Sequence, residues 1–597
     1  SCSNRKRFFQ NPTMVRWRKI NNFYNAGTVR SGWFSHLSVR TTPGVARGTY
    51  FYWDIAAMLG GLASTVHRTV LPPTFRFKLE CDNFDKNPLV SLIREHCPSI
   101  SGARTAKQTR WLPSGHLQTL YTSASNAMQV EDVDFKRKVF LAPDGGTISM
   151  DIAPISMSKP SESDTTPTVV ILHGLSGGSS ETYVMNAVVQ LTKSREEGGE
   201  GVRCVVVNFR GCAKPLLTSA QLYSACKVTD LEAALLLLSH MFPRSPMLGL
   251  GYSLGGAVLA RYMGISGKDT PLIGAITVGA PYSLDKTNTT LESSYLTLAY
   301  AHVLGVSLRG LLQQHVDTLV LSPALWEPIE LILRTKMDPD ENKPVAKPTF
   351  TSPQYCTLRY VDHTMTRLIG GYPTPYGEFP FTSAMDYYKR SSPVVTLANV
   401  SRPLLALSAD DDPIVPWSTL DDLMDCIKTN PNVVLAHTQS GGHLGWFAGP
   451  LAQRWIKHPI AEFVHALVDA YGAKPRESVS TGLGSGGPQV SPWKTRSIDK
   501  RSVQVEVLAK AHLPSVSGVR TDDEQDVAWL RTQILPHIPL VHPKDSPVRT
   551  HEIPTGRMLS LTLVRILCLH HSTVMLYALK SVLSSCQKTC MPVRNSR

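Results

Sequence analysis

Met247-Leu248-Gly249-Leu250-Gly251-Tyr252-Ser253-Leu254-Gly255-Gly256 joins a short apolar run to a G-x-S-x-G sequence, and Ala257-Val258-Leu259-Ala260 continues as helix. Strand, sharp turn and helix with a serine at the turn is the pattern of a nucleophile elbow. A serine hydroxyl is a weak nucleophile, so it must stand exposed and within reach of a base. The turn forces strained angles on the serine and brings strand and helix together. Gly251 and Gly255 leave room for that by lacking Cβ. The amide of Leu254 then falls at a helix N-terminus, where it can donate to a developing oxyanion. Alone, G-x-S-x-G is a common turn sequence; its weight depends on the partners the chain supplies and their order.

The flanking segments alternate. Phe135 to Leu141 and Thr147 to Ile152 read as strands around Asp144-Gly145-Gly146, a hairpin signal. Thr168 to Leu172 is a continuous β-branched run, as expected of a strand covered on both faces. It ends in His173-Gly174-Leu175-Ser176-Gly177-Gly178, a glycine-rich turn whose Leu175 amide is the expected second oxyanion donor. Val202 to Asn208 is a further strand, Thr229 to His240 an amphipathic helix and Leu272 to Val278 the strand after the elbow. This β-α-β-α-β series predicts an α/β fold on a mostly parallel, doubly wound sheet. The alternation breaks between about Tyr282 and Ser392, where helical runs and a Pro- and Lys-rich loop (Lys343 to Pro353) predict a helical cap insertion above the serine. Pro403 to Ser408 and Val433 to Ala436 resume the sheet, and Trp455 to Ala470 reads as a closing helix.

The partners follow in the order Ser, Asp, His, each just beyond an expected strand. Ser253 would attack the acyl carbonyl, His443 would take its proton and return it to the leaving group, and a carboxylate would orient the imidazole. Asp410, Asp411 and Asp412 are consecutive. Asp412, just before Pro413-Ile414-Val415-Pro416, suits the loop best, with Asp411 second and the remaining carboxylates read as solvated loop charges. His437 competes with His443 but lies in or near a strand, whereas His443 is flanked by glycines. His116 lies far before the elbow and is read as structural or pocket-lining.

These stretches, with Ser114-Gly115-His116-Leu117-Gln118-Thr119 and Asn208-Phe209-Arg210-Gly211-Cys212, resemble the α/β-hydrolase superfamily. More narrowly, the chain is similar to the family of plant embryogenesis-associated hydrolases, bacterial YheT-type esterases and yeast medium-chain fatty acid ethyl ester synthase/esterases. The similarity covers roughly residues 88–470. It implies a carboxylic ester hydrolase for short- to medium-chain acyl groups, such as monoacylglycerols or ethyl esters, and no metal or cofactor. The partner expected is a small-molecule acyl ester. Two alternatives use the same fold: an alcohol O-acyltransferase, and a non-catalytic scaffold.

The 597 residues carry a net charge of +14, unevenly distributed. Residues 1–53 hold nine Lys/Arg and no acid, and residues 471–597 hold seventeen basic and nine acidic side chains, leaving 35 basic and 38 acidic between them. The excess sits on the ends with no nucleic-acid motif beside it, so no nucleic-acid partner is expected. Eleven cysteines without C-x-x-C pairs read as reduced thiols of an intracellular protein. Three regions follow: a basic, poorly ordered extension over 1–87, a catalytic domain over 88–475 with its cap at about 282–392, and a linker and extension over 476–597, largely disordered. The basic start suits organellar targeting or a disordered arm. Tyr50 to Val66 suits a peripheral membrane or lipid-droplet contact. Met558 to Leu583 is apolar but interrupted by Arg565 and Lys580, which argues against a membrane span. The expected location is cytoplasmic or peripherally membrane-associated, and oligomeric state is open.

Overall fold

Besides the fragments Val507–Leu508 and Val519–Arg520, which pair with Phe135–Leu141 in the same eleven-stranded sheet, nine segments line up in the central sheet: β1 (Phe77–Glu80), β2 (Phe135–Leu141), β3 (Thr147–Ala153), β4 (Thr168–Leu172), β5 (Arg203–Asn208), β6 (Met247–Tyr252), β7 (Leu272–Val278), β8 (Leu404–Ala409) and β9 (Val433–Thr438). Their order across the sheet is β2-β3-β5-β4-β6-β7-β8-β9-β1. The pairs from β5 to β9 are parallel; β2, β3 and β1 join antiparallel at the two edges. The structure is a computed structural model. It describes residues 72–125, 133–142, 144–214, 217–333, 357–373 and 377–472, with four strand fragments, Met337–Asp338, Lys343–Pro344, Val507–Leu508 and Val519–Arg520.

Strand residues alternate between two cores because successive side chains point to opposite faces. Val170, Leu172, Val205 and Val207 face one core; Val169, Ile171, Cys204 and Val206 face the other. That is why these strands read as continuous apolar runs. Helices α1 (Pro88–His96), α3 (Thr182–Thr192) and α11 (Lys457–Tyr471) cover the second face; α4 (Thr229–Met241), α5 (Leu254–Ser266) and α10 (Asp421–Ile427) cover the first. α2 (Gly115–Ser125) belongs to the active-site edge described below.

The break in alternation is a helical insertion. It holds α6 (Leu284–Leu291), α7 (Tyr295–Gln314), α8 (Trp326–Leu333), a bent stretch containing the π-helical Asp362–Thr366, and α9 (Ala384–Ser391). Leu308, Leu312, Ile329, Met365 and Ile369 pack into the first core with Leu222 and Tyr223. The Pro- and Lys-rich loop lies almost wholly outside the described residues, as do residues 1–71 and, apart from two fragments, 473–597.

One boundary is corrected. The extension expected to run through residue 87 ends earlier, because Thr74–Phe75 pairs with Ala106–Lys107 and β1 pairs with β9. Phe75 and Phe77 stack on Trp455 at centroid distances of 5.4 and 5.8 Å. The physical reason is that the edge of β9 needs a partner and Trp455 needs a cover, and residues 74–80 supply both.

Candidate active site

Ser253 stands between β6 and α5 with φ +51° and ψ −121°. Such angles cost an L-residue on the order of 1–3 kcal/mol and persist only where the surroundings impose them. Here the turn is tight. A Cβ at Gly251 would lie 2.6 Å from the Gly255 carbonyl oxygen, and one at Gly255 would lie 2.4 Å from the His173 carbonyl oxygen. The Ser253 amide donates to the Val278 carbonyl at 2.9 Å, tying the turn to β7.

His443 arrives from the turn after β9. Its Nε2 lies 2.9 Å from Ser253 Oγ and its Nδ1 lies 2.8 Å from Asp412 Oδ2. Asp412 Oδ1 accepts the amides of Ile414 and Val415 at 2.8 and 2.9 Å. Pro413 has no amide, so the following two turn toward the carboxylate. A carboxylate only accepts, so the proton sits on Nδ1 and the Nε2 lone pair faces the serine hydroxyl. The arrangement can deprotonate Ser253 and stabilise the imidazolium that results.

The other two carboxylates are not solvated loop charges. Asp411 Oδ1 accepts the amides of Gly441 and Gly442, each at 2.8 Å, and burial pushes its carboxyl up to about 6. Asp410 pairs with His437 Nδ1 at 2.6 Å, and His437 packs on Trp417 at 4.4 Å. His437 is thus bound to Asp410 on β9, while the imidazole at the serine is that of His443. His116 does not join them: its Nδ1 lies 2.9 Å from the Tyr300 hydroxyl of α7, and burial lowers its pKa.

The two amides expected to donate to an oxyanion, those of Leu254 and Leu175, belong to turns that adjoin Ser253. Leu254 opens α5, where a backbone N–H has no intrahelical acceptor. Leu175 follows Gly174, where a Cβ would lie 3.5 Å from Ser253 Cβ, so this turn rests against the serine. Tyr183 and Tyr223 hold it on either side: the Gly174 amide donates to the Tyr183 hydroxyl at 3.0 Å and the Ser176 amide to the Tyr223 hydroxyl at 2.8 Å. His173 braces it from behind, its Nε2 accepting the Phe209 amide at 3.1 Å and its Nδ1 donating to the Gly174 carbonyl at 2.8 Å. Neither tyrosine stands out in the sequence. Each is a core aromatic by pattern, and only long-range contact reveals the hydroxyl's partner.

The stretch after β5 supports the same turn. Asn208 Oδ1 accepts the Ser179 amide at 3.1 Å. Arg210 is fully buried and pairs with Asp230 at 2.7 Å and with Asp144. Burial opposes the charge on Asp144, but Arg210 outweighs it and holds the carboxyl below the usual carboxylate range. Gly211 presents its carbonyl to His315 Nε2 at 2.7 Å, linking this turn to the cap. Among the described residues no cluster of three or more His, Cys, Asp or Glu is placed to hold a metal ion.

The sequence model described as "Alpha/beta hydrolase family" matches residues 169–453. Monoacylglycerol lipase of Saccharomyces cerevisiae is 27% identical over 451 residues, spanning 69% of this chain and 92% of that protein. Phospholipase ABHD3 of Homo sapiens is 27% identical over 380 residues, spanning 63% and 82%. Medium-chain fatty acid ethyl ester synthase/esterase 2 of Saccharomyces cerevisiae is 25% identical over 441 residues, spanning 64% and 90%.

Proposed function

The chain belongs to the alpha/beta hydrolase family, and from that premise we propose that it hydrolyses lipid-type carboxylic esters of short- to medium-chain acyl groups through an acyl-enzyme on Ser253. The single observation that carries the reading is the continuous link from Asp412 through His443 to Ser253, at 2.8 and 2.9 Å. Ser253 Oγ attacks the ester carbonyl as its proton passes to His443 Nε2. Negative charge builds on the carbonyl oxygen, and the amides of Leu175 and Leu254 donate to it. One such donor is worth roughly 10²–10³ in rate. His443 then gives the proton to the departing alcohol, leaving the acyl group on Ser253. Water attacks by the reverse route, with His443 again taking and returning the proton.

One observation supports the substrate class: the names of the three relatives all concern acyl esters of lipids or fatty acids. The similarity to an ester synthase/esterase favours a second reading, transfer of the acyl group to an alcohol in place of water.

A fluorophosphonate probe and p-nitrophenyl esters of graded chain length, with and without added ethanol, test both. The wild type should be labelled and should give its highest kcat/KM on short- to medium-chain esters, and Ser253→Ala should do neither. Labelling that survives Ser253→Ala would refute the assignment of the nucleophile. Free acid as the sole product at high ethanol would remove the transferase reading.

A further inference from the structure

The loop that delivers His443 is held by side chains from two other parts of the chain. Gly441 and Gly442 both donate to Asp411 Oδ1 at 2.8 Å, and the same carboxylate takes the Gly115 amide. The next amide, that of His443 itself, donates to Thr119 Oγ1 at 2.8 Å. Thr119 in turn donates to the Gly115 carbonyl one helical turn back, at 2.7 Å. Three successive amides of the His443 loop are therefore taken by Asp411 and Thr119. The backbones close up accordingly. Gly442 has φ +58°, and a Cβ there would lie 2.4 Å from the Gly115 carbonyl oxygen. A Cβ at Gly115 would lie 1.9 Å from the Asp411 carbonyl oxygen.

We propose that Asp411 and Thr119 are positioning residues for the general base, fixing the backbone from which His443 spans Ser253 and Asp412. The inference rests on the Ser253–His443–Asp412 reading above. Asp412 sets the tautomer and tilt of the imidazole but does not anchor its Cα. Ser440 and the buried Trp446 pin the two ends of the loop, to Gln108 at 2.9 Å and to Thr438 at 2.8 Å, but Gly441, Gly442 and Gly445 around His443 have no side chains to hold it, and glycine has the widest backbone freedom. An imidazole that must meet two partners at once tolerates little drift: a misplacement of about 1 Å can cost about 10²-fold in rate. The Asp411 carboxylate is buried at a cost, with the neighbouring Asp412 charge adding to it. The amides of Gly442, Gly441 and Gly115 pull the other way, which is the arrangement of a built bracket rather than a stray surface charge.

Thr119→Val and Thr119→Ser, with Asp411→Asn as a second site, test the proposal. Thr119→Val keeps the shape and leaves the His443 amide unpaired; Thr119→Ser keeps the acceptor. Thr119→Val and Asp411→Asn should lower kcat and the phosphonylation rate roughly 10- to 100-fold, with KM within about twofold, while Thr119→Ser keeps wild-type values. The low-field proton resonance between His443 Nδ1 and Asp412 should persist in the wild type and Thr119→Ser and broaden or vanish in Thr119→Val. Folded Thr119→Val and Asp411→Asn proteins with unchanged kcat would overturn the proposal. So would Thr119→Ser as impaired as Thr119→Val, or loss of fold in both Thr119→Val and Asp411→Asn. A wild type that is neither labelled nor active fails the nucleophile reading instead; the proton resonance still decides the bracket, since an unaltered signal in Thr119→Val overturns it.

Discussion

Three aspartates in a row take three different tasks, and their order along the chain explains how. Asp410 faces His437 on β9, Asp411 turns to the Gly441–Gly442 amides, and Asp412 turns to His443. Two imidazole–carboxylate pairs result, and Ser253 contacts one of them. The pairs make opposite predictions. Asp412→Asn presents an amide where Nδ1–H needs an acceptor, selects the wrong tautomer, and should lower kcat by on the order of 10⁴ with the fold intact. His437→Gln should leave kcat within about threefold, because no reacting atom touches it. Steady-state kinetics on one p-nitrophenyl ester checks both; a collapse of kcat in His437→Gln alone would mean the pairs had been assigned the wrong way round. At this scale Ser253 and His443 were legible from sequence, since glycines mark both turns. For the carboxylate the sequence favoured Asp412 over Asp411 only through its place before Pro413, because spacing does not say which of three adjacent side chains turns inward.

The turn after β4 shows how an element is made rigid by groups outside it. His173 holds this turn in the neutral form, accepting from Phe209 and donating to Gly174. Burial lowers its pKa to about 4, against 6.5 for a free imidazole. The folded state thus prefers the neutral ring. His173 contributes stability fully above pH 6.5, and that contribution is lost as pH falls from 6.5 toward 4. At pH 5 the loss should be about 2 kcal/mol. Urea unfolding of the wild type and His173→Gln at pH 7 and pH 5 reads it as a difference, so other titrating groups cancel. The stability gap between the two proteins should narrow at pH 5 by about that amount; a gap that does not change with pH would show that His173 takes up its proton as readily in the fold as in the unfolded chain. Among the elements, the strands with β-branched runs were read to within a residue or two, because burial on both faces demands such runs. The tyrosines that hold this turn were not read, because a hydroxyl's partner nine or forty-seven residues away leaves no local pattern.

At the scale of the whole molecule, the surplus positive charge belongs to the two ends, and the sequence between them, residues 54–470, is close to balanced. The folded body nevertheless begins before composition announces it. β1 reads Phe-Lys-Leu-Glu, short and half charged, which is how an edge strand discourages pairing with other chains. Its polar residues masked it, and the basic run upstream drew the boundary too late. Three features depend on residues 72–87: the pairing of β1 with β9, the cover of Phe75 and Phe77 over Trp455, and the cap of α1, where Asn87 Oδ1 accepts the amides of Leu89 and Val90 at 2.8 and 3.2 Å. Losing a buried phenylalanine costs about 3–5 kcal/mol and losing the cap about 1 kcal/mol. Compared with a chain beginning at residue 72, one beginning at residue 88 should therefore lose much of a typical domain's stability of about 5–15 kcal/mol. β9 leads directly into the loop of Gly441, Gly442 and His443, so the shorter chain should also lose fluorophosphonate labelling before it loses its helical signal on warming. If the chain from 88 melted with the chain from 72 and kept its labelling, β1 would be an ornament on the sheet edge and not part of what holds His443 in place.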